Sequence, residues 1–220
     1  MDFKKINENT YDSISEEWES KRSYFWKPIT DFLISFENKS QLKLLDLGCG
    51  TGRHLEAAEK LGFKKENLTG SDISKNQLEI VKKKGYKTQK ADLIDLNFFK
   101  DNSFDIIVCI AAHHHLIKKE EQIQALKEMN RILNKDGKIL LSNWFPDKEF
   151  IDKQLEKNKF EFLDENKQIV KVTFTKDENK FDRYYYLFKE DELKEIIEQA
   201  NLKIENSFNN KGNYYLILTK

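Results

Sequence analysis

Apolar positions along the chain switch between two periods. Short apolar blocks suited to strands fall at 42–46, 67–72, 86–91, 104–110 and 138–144, and between them the three-to-four-residue spacing of helices runs over 52–61, 75–84 and 119–133. Such alternation predicts a parallel sheet with helices packed on both faces. Before Lys39 the spacing is helical throughout: Tyr11, Ile14 and Trp18 fall on one stripe, and Ile29, Phe32, Leu33 and Phe36 form a second after Pro28. Residues 1–38 therefore read as a helical prefix or lid, and 39–220 as the main domain. Within it, Lys135-Asp136-Gly137 reads as the turn feeding the strand at 138–144. The charged, weakly patterned segment 147–182 reads as an insertion with one strand-like piece at 169–174. A helix at 189–200 and strand-like runs at 203–208 and 214–219 complete the chain.

The block Leu44-Leu45-Asp46-Leu47 runs directly into Gly48-Cys49-Gly50-Thr51-Gly52, and a helical pattern starts at Arg53. Strand, glycine turn and helix in this order open a nucleotide-binding βα unit: the backbone turns sharply, a ligand approaches where a side chain would intrude, and the helix offers unpaired N–H groups. Asp72 closes the next strand-like block, at the spacing from which a carboxylate accepts both hydroxyls of a ribose. The glycine spacing is neither G-x-G-x-x-G nor a P-loop ending in G-K-[ST], so a dinucleotide and a nucleoside triphosphate are both disfavoured.

Ligands of open α/β sheets sit at the carboxyl ends of the strands, which fixes the remaining candidates. Asp46 and Gly48 would flank the amino-acid end of such a ligand, with a turn cap as the competing role for Asp46. Ile73 would pack on the base, while Ser74 suits a helix cap. Asp92, followed by Leu93, would accept from the adenine amino group, the alternative being a surface loop. Ile110 ends the next strand and leads into His113-His114-His115. Adjacent histidines in regular structure cannot all face one ion, and no cysteine or carboxylate set of ligand spacing accompanies them, so no metal is expected. One or two of them, His114 and His115 foremost, would line the cleft and exchange hydrogen bonds with an acceptor, or else pack structurally.

Composition narrows the partners. The 220 residues suit one α/β domain, and 38 basic residues balance 38 acidic ones, so no global field draws nucleic acid. Any RNA contact must be local. With only four arginines among those basic residues, Arg22 and Arg183 in aromatic surroundings stand out as carboxylate or phosphate ligands. Cys49 and Cys109 suit buried, inert positions. No apolar run is long enough to span a bilayer and no secretion signal is evident, so a cytoplasmic location is expected.

The glycine turn and the Gly70-Ser71-Asp72-Ile73-Ser74 segment resemble the first two motifs of the class I S-adenosylmethionine methyltransferases. Tyr11-Asp12-Ser13-Ile14 with Trp18, Arg22 and Trp26, the stretch from Ile110 to Leu116, the helix and strand from Glu128 to Trp144, Arg183-Tyr184-Tyr185-Tyr186-Leu187-Phe188, and Gly212-Asn213-Tyr214-Tyr215 resemble, more narrowly, the tRNA wobble-uridine methyltransferases that esterify 5-carboxymethyluridine. The resemblance implies a Rossmann-like, seven-stranded, mostly parallel sheet closed by an antiparallel hairpin. It also implies S-adenosylmethionine held by Asp46, Gly48, Gly50, Gly52, Asp72, Ile73, Asp92, Leu93 and Ile110. Arg22, Arg183, His114 and His115 would then be catalytic, with Trp26, Trp144, Tyr184 and Tyr185 stacking on a splayed base of tRNA. A packed strand is the competing role for the tyrosine run. A small zinc-binding activator subunit would pair along the edge at 86–91, unless charge protects that edge. Tyr186 stands where the family has histidine, and 147–180 lacks the family's longer insertion. A small-molecule methyltransferase and a non-catalytic cofactor-binding subunit are the alternative functions.

Overall fold

A computed structural model describes residues 2–15, 25–176 and 178–220. Helices α1 (Phe3–Ser13) and α2 (Lys27–Ile34) precede the alternating core. There follow β1 (Leu44–Leu47), α3 (Arg53–Lys60), β2 (Leu68–Asp72), α4 (Lys75–Lys83), β3 (Lys87–Lys90), β4 (Phe104–Ile110), α5 (Lys119–Ile132) and β5 (Leu133–Trp144). The chain ends with α6 (Lys148–Glu156), β6 (Phe160–Phe162), β7 (Ile169–Lys176), β8 (Asn179–Tyr186), α7 (Glu190–Gln199), β9 (Lys203–Asn210) and β10 (Asn213–Thr219).

Seven strands form one sheet in the order β3-β2-β1-β4-β5-β10-β9. The first five are parallel, and β10 is antiparallel to both β5 and β9. Strand order reverses between β1 and β4, so the loops after these two strands diverge to opposite sides and leave a crevice at their carboxyl ends.

Strict alternation divides the core between the two faces. Leu45, Leu47, Ile107, Cys109, Ile139 and Leu141 pack against α5 and α7. Leu44, Ile106, Val108 and Leu140 turn the other way, with Ile29, Leu33, Leu55 and Val81 from α2, α3 and α4. A strand buried on both sides has no polar face to show, which is why these blocks read as continuous apolar runs. Cys49 and Cys109 are buried in these layers, and burial pushes both thiols above their ordinary range.

Two expectations are corrected. The fifth strand begins at Leu133, not 138, because Leu133 pairs with Phe104 before the register shifts to Lys138 opposite Ile106. The Lys135-Asp136-Gly137 turn is thus a bulge inside a strand, where Gly137 lies against the Asp105 carbonyl. The segment 147–182 is far more regular than its pattern indicated. It holds α6 and a separate antiparallel sheet, β6-β7-β8, whose small core of Phe160, Val170, Val172 and Tyr185 is too sparse to announce itself in sequence.

Candidate functional site

A cavity of about 510 Å³ opens at the carboxyl ends of β1, β2 and β4, where the reversal of strand order predicts it. One part is made by the glycine turn and the loops after β2 and β3, the other by the His113–His115 turn, Trp144 and the β6-β7-β8 sheet.

The turn after β1 is shaped by close approach. Gly48 has φ +68°, and a Cβ placed on it would lie 2.3 Å from the Ala112 Cβ, so any side chain would drive the β1 and β4 turns apart. Next in the turn, the Gly50 N–H donates to the Asp72 Oδ2 (2.9 Å), while the Ser74 N–H donates to Oδ1 (2.9 Å). Burial pushes the Asp72 carboxyl up to about 6, and the two N–H donors partly oppose that shift. A carboxylate oriented in this way, lining the cavity beside Ile73, suits the vicinal hydroxyls of a ribose. Gly48, Gly50, Asp92, Leu93 and Ile110 line the same cavity. Asp92 already accepts from Lys4 Nζ of α1 (2.7 Å) and from the Ile94 N–H (3.3 Å).

Asp46 and Gly52 do not face the cavity. Asp46 is fully buried beneath the turn, with its Oδ2 3.4 Å from His54 Nδ1. Gly52 precedes α3 with φ +84°, and its Cβ position lies 3.1 Å from Val81, so it sets the packing of α3 on α4.

The left-handed Ala111 (φ +55°) turns the chain sharply after β4 and sends the three imidazoles in different directions. The His113 Nε2–H donates to the Gln122 carbonyl (3.1 Å), and burial lowers its pKa to about 4. His114 Nδ1 accepts the Trp144 N–H (2.8 Å), and burial together with the neighbouring His115 holds it well below its ordinary range. His115 approaches the Tyr184 carbonyl through Nδ1 (2.9 Å) and the Tyr11 hydroxyl through Nε2 (3.0 Å). His114 and His115 line the cavity and His113 does not.

Strand alternation sorts the tyrosine run. Arg183 and Tyr185 of β8 face the cavity, whereas Tyr184 points away to pack on Phe3 with ring centroids 4.8 Å apart. Tyr184 is accordingly removed from the base-stacking set. Tyr186, on the same face as Tyr184, donates to Glu192 Oε1 (2.5 Å). Trp144 and Tyr185 are joined by Phe160, with Trp144 centroids 5.2 Å from Tyr185 and 5.3 Å from Phe160, and these rings form an aromatic wall. Trp26 lies elsewhere on the lining, its ring 4.4 Å beneath the Arg53 guanidinium. Trp18 and Arg22 lie outside the described residues.

Sequence reading missed Asn7, Arg53, His54 and Gln77 as lining residues. Tyr11 was placed on an apolar stripe, although its hydroxyl meets His115. The i, i+4 spacing of Asn7 and Tyr11 put them on one face, but nothing in the pattern said that this face meets the cavity rather than solvent. Among the described residues, no group of three or more His, Cys, Asp or Glu is arranged to hold a metal ion, and no helix is long and apolar enough to cross a membrane.

Residues 45–141 match a family model described as a methyltransferase domain. Together with the strand order and the placement of the glycine turn and Asp72, this match gives the chain a class I methyltransferase fold, the methyltransferase-domain match itself being confined to residues 45–141. Its sequence is 33% identical over 157 residues to the tRNA (carboxymethyluridine(34)-5-O)-methyltransferase alkbh8 of Xenopus tropicalis, covering 71% of this chain and 23% of that one. It is 30% identical over 136 residues to the probable tRNA methyltransferase 9B of Homo sapiens, covering 62% of this chain and 28% of that one. The chain thus spans about a quarter of the length of these two curated relatives. Among solved structures, the fold is similar to the Haloferax volcanii putative methyltransferase in complex with the Trm112 methyltransferase activator, with a TM-score of 0.71 at 13% identity and coverage of 97% and 96% of the two chains.

Proposed function

We propose that this protein uses S-adenosylmethionine to esterify the carboxymethyl group of a wobble 5-carboxymethyluridine in tRNA. The observation that carries the reading is a single cavity uniting Gly48, Gly50 and Asp72 with Arg183, Tyr185 and Trp144. Similarity of about 30% to relatives named for that reaction supports it. The lining also fits the cofactor: a glycine turn packed closely on Ala112 at the cavity wall, and an Asp72 carboxylate held ready for a ribose by two backbone donors.

When bound, the cofactor would supply a sulfonium methyl group for transfer to an acceptor oxygen, with the thioether as the leaving group. A carboxylate acceptor is ionised at neutral pH and has no proton to lose, so the chain's residues need only place it and exclude water. Arg183, on the cavity face of β8, offers a planar guanidinium to the acceptor carboxylate. Trp144 and Tyr185 offer ring faces and edges to the uracil. His114, held neutral with Nδ1 occupied by the Trp144 N–H, fixes the indole-bearing strand end beside them. Asp92 and Leu93 take the adenine end, with Lys4 sharing the carboxylate. Arg22 remains a candidate second cation.

A small zinc-binding activator that adds to edge strand β3 is part of this proposal. Support comes from the position of β3 (Lys87–Lys90) at the end of the sheet order and from the fold shared with a methyltransferase solved together with its activator. The test is methyl transfer from labelled S-adenosylmethionine to bulk tRNA of a strain lacking the wobble ester, with and without a candidate activator, followed by nucleoside analysis. Label in 5-carboxymethyluridine methyl ester is the expected result. Label confined to an organic extract of small metabolites would instead establish a small-molecule methyltransferase.

A further inference from the structure

Helix α1 carries a buried polar side chain that neither the glycine turn nor the acceptor wall accounts for. Asn7 is only 4% exposed in the middle of an otherwise polar helix. Its carboxamide grips both backbone polar groups of one β8 residue: the Tyr184 N–H donates to Oδ1 (2.8 Å) and Nδ2 donates to the Tyr184 carbonyl (3.0 Å). Strand β8 is one of the two outer strands of its sheet, and Asn7 meets this edge with the donor and acceptor that a neighbouring strand would present.

The gripped carbonyl also sets the state of an imidazole. A carbonyl oxygen only accepts, so the 2.9 Å approach of His115 Nδ1 to the Tyr184 carbonyl requires the proton to sit on Nδ1. Nε2 is then the acceptor for the Tyr11 hydroxyl at 3.0 Å. Asn7 Nδ2 lies 3.2 Å from the same Nδ1, and with both atoms donating to Tyr184 the two share one acceptor. Alternation places Arg183 and Tyr185, the residues on either side of Tyr184, on the cavity face.

We infer that Asn7 is a positioning residue: by clamping the backbone N–H and C=O of Tyr184 it fixes the height of Arg183 and Tyr185 in the cavity and holds His115 as the Nδ1–H tautomer facing Tyr11. The same helix is tied to the other part of the site, since Asp12 Oδ1 accepts from the Ser74 hydroxyl (2.5 Å) and the Asn76 N–H (3.0 Å). Thr10 adds a bond to the Asp182 carbonyl (2.9 Å). Helix α1 therefore gauges the distance between the ribose end and the acceptor end. The catalytic consequence rests on the methyl-transfer reading; the tautomer and the clamp do not.

Among the described residues, Tyr11 from α1, His114 beside it in the turn, and Tyr185 of β8 with Arg183 next to it face His115. Asn7→Asp would put a carboxylate about 3 Å from Nδ1 and so favour the imidazolium. The experiment is NMR of protein with 15N- and 13C-labelled histidine, with His115 assigned through His115→Gln. The unmodified protein is expected to show protonated Nδ1 at neutral pH, and Asn7→Asp to raise the His115 midpoint by about one pH unit or more. Steady-state methyl transfer should show kcat falling about tenfold or more in Asn7→Leu, with the cofactor KM within about twofold of the parent. An Nε2–H tautomer in the unmodified protein, which needs no variant to fold, overturns the inference. An unchanged His115 midpoint in a folded Asn7→Asp protein overturns it equally. Absence of tRNA methylation by the unmodified protein would bear on the function alone, because the tautomer and titration are read without an acceptor.

Discussion

Lys4 Nζ lies 2.7 Å from the Asp92 carboxylate, so the first helix of the chain holds the acid that follows the third strand. Both side chains are about a quarter exposed, at 28% and 26%, and the ion pair by itself contributes little, on the order of 1 kcal/mol or less. Its value is positional, because it brings α1 over the place where an adenine would lie. Asp92→Asn keeps an acceptor for the Ile94 N–H but loses the charged partner of Lys4. The expected outcome is binding of S-adenosylhomocysteine weakened by about 3- to 10-fold, as for the loss of one good hydrogen bond, with little change in melting temperature. Isothermal titration calorimetry beside a thermal melt checks both, and unchanged affinity would remove Asp92 from the adenine site.

Asp72 gives the site a pH dependence whose sign is fixed by burial. Its folded-state pKa is raised to about 6, so the carboxyl is protonated below that value and a protonated carboxyl accepts poorly from ribose hydroxyls. Affinity for S-adenosylhomocysteine should be level above pH 7 and fall by up to about tenfold per unit below pH 6. The raised value also means that ionising Asp72 costs folding stability: its contribution is fully present below about pH 4 and is lost as pH rises through about 6. Asp72→Asn should flatten both profiles. Titrations and melts from pH 5 to 8 read the two effects separately, and a pH-independent affinity in the parent protein would count against a ribose at Asp72.

Gly48 and Ala112 meet at a point with no spare volume. Gly48→Ala combines a left-handed backbone with a Cβ 2.3 Å from another, and the expected loss is roughly 2–5 kcal/mol with abolished cofactor binding. Pairing it with Ala112→Gly removes the clash but leaves the backbone strain, so the double variant should recover part of that loss. A chemical denaturation cycle over the four proteins measures the coupling, and strict additivity would mean that the two turns do not touch.

Arg183 should tolerate no substitute. Arg183→Lys keeps the charge but lacks the planar fork, and methyl transfer should fall about 100-fold or more while S-adenosylhomocysteine binds as before. Parallel calorimetry and single-turnover assays separate the two quantities. A Lys variant with near-parental rate would show that charge alone suffices.

The two neighbouring tyrosines should part company. Tyr184 packs outward on Phe3, so Tyr184→Phe should leave methyl transfer within about twofold of the parent. Tyr185 joins the aromatic wall, and Tyr185→Ala should cost about 10-fold or more, as expected for the loss of one stacking partner. Equal effects at the two positions would mean that the run acts through packing alone.

The layered sheet, the glycine turn and the position of Asp72 were legible in the order of residues, because these depend on local rules. A strand buried on both faces must be apolar, a turn grazing another backbone must be glycine, and an acid that closes an apolar block stands at a strand end. Tertiary structure decided the rest. Whether Asp46 faced a ligand or the interior depended on the packing of His54, and Gly52 served α4 rather than the cavity. The sheet of 160–186 was faint because so small a core needs few apolar residues, and which tyrosines of β8 faced inward followed only from where that sheet lies. Asn7 was unreadable for the same reason: a buried carboxamide is recognised by the backbone groups it grips, and those of Tyr184 lie far along the chain, brought near only when α1 folds across the site.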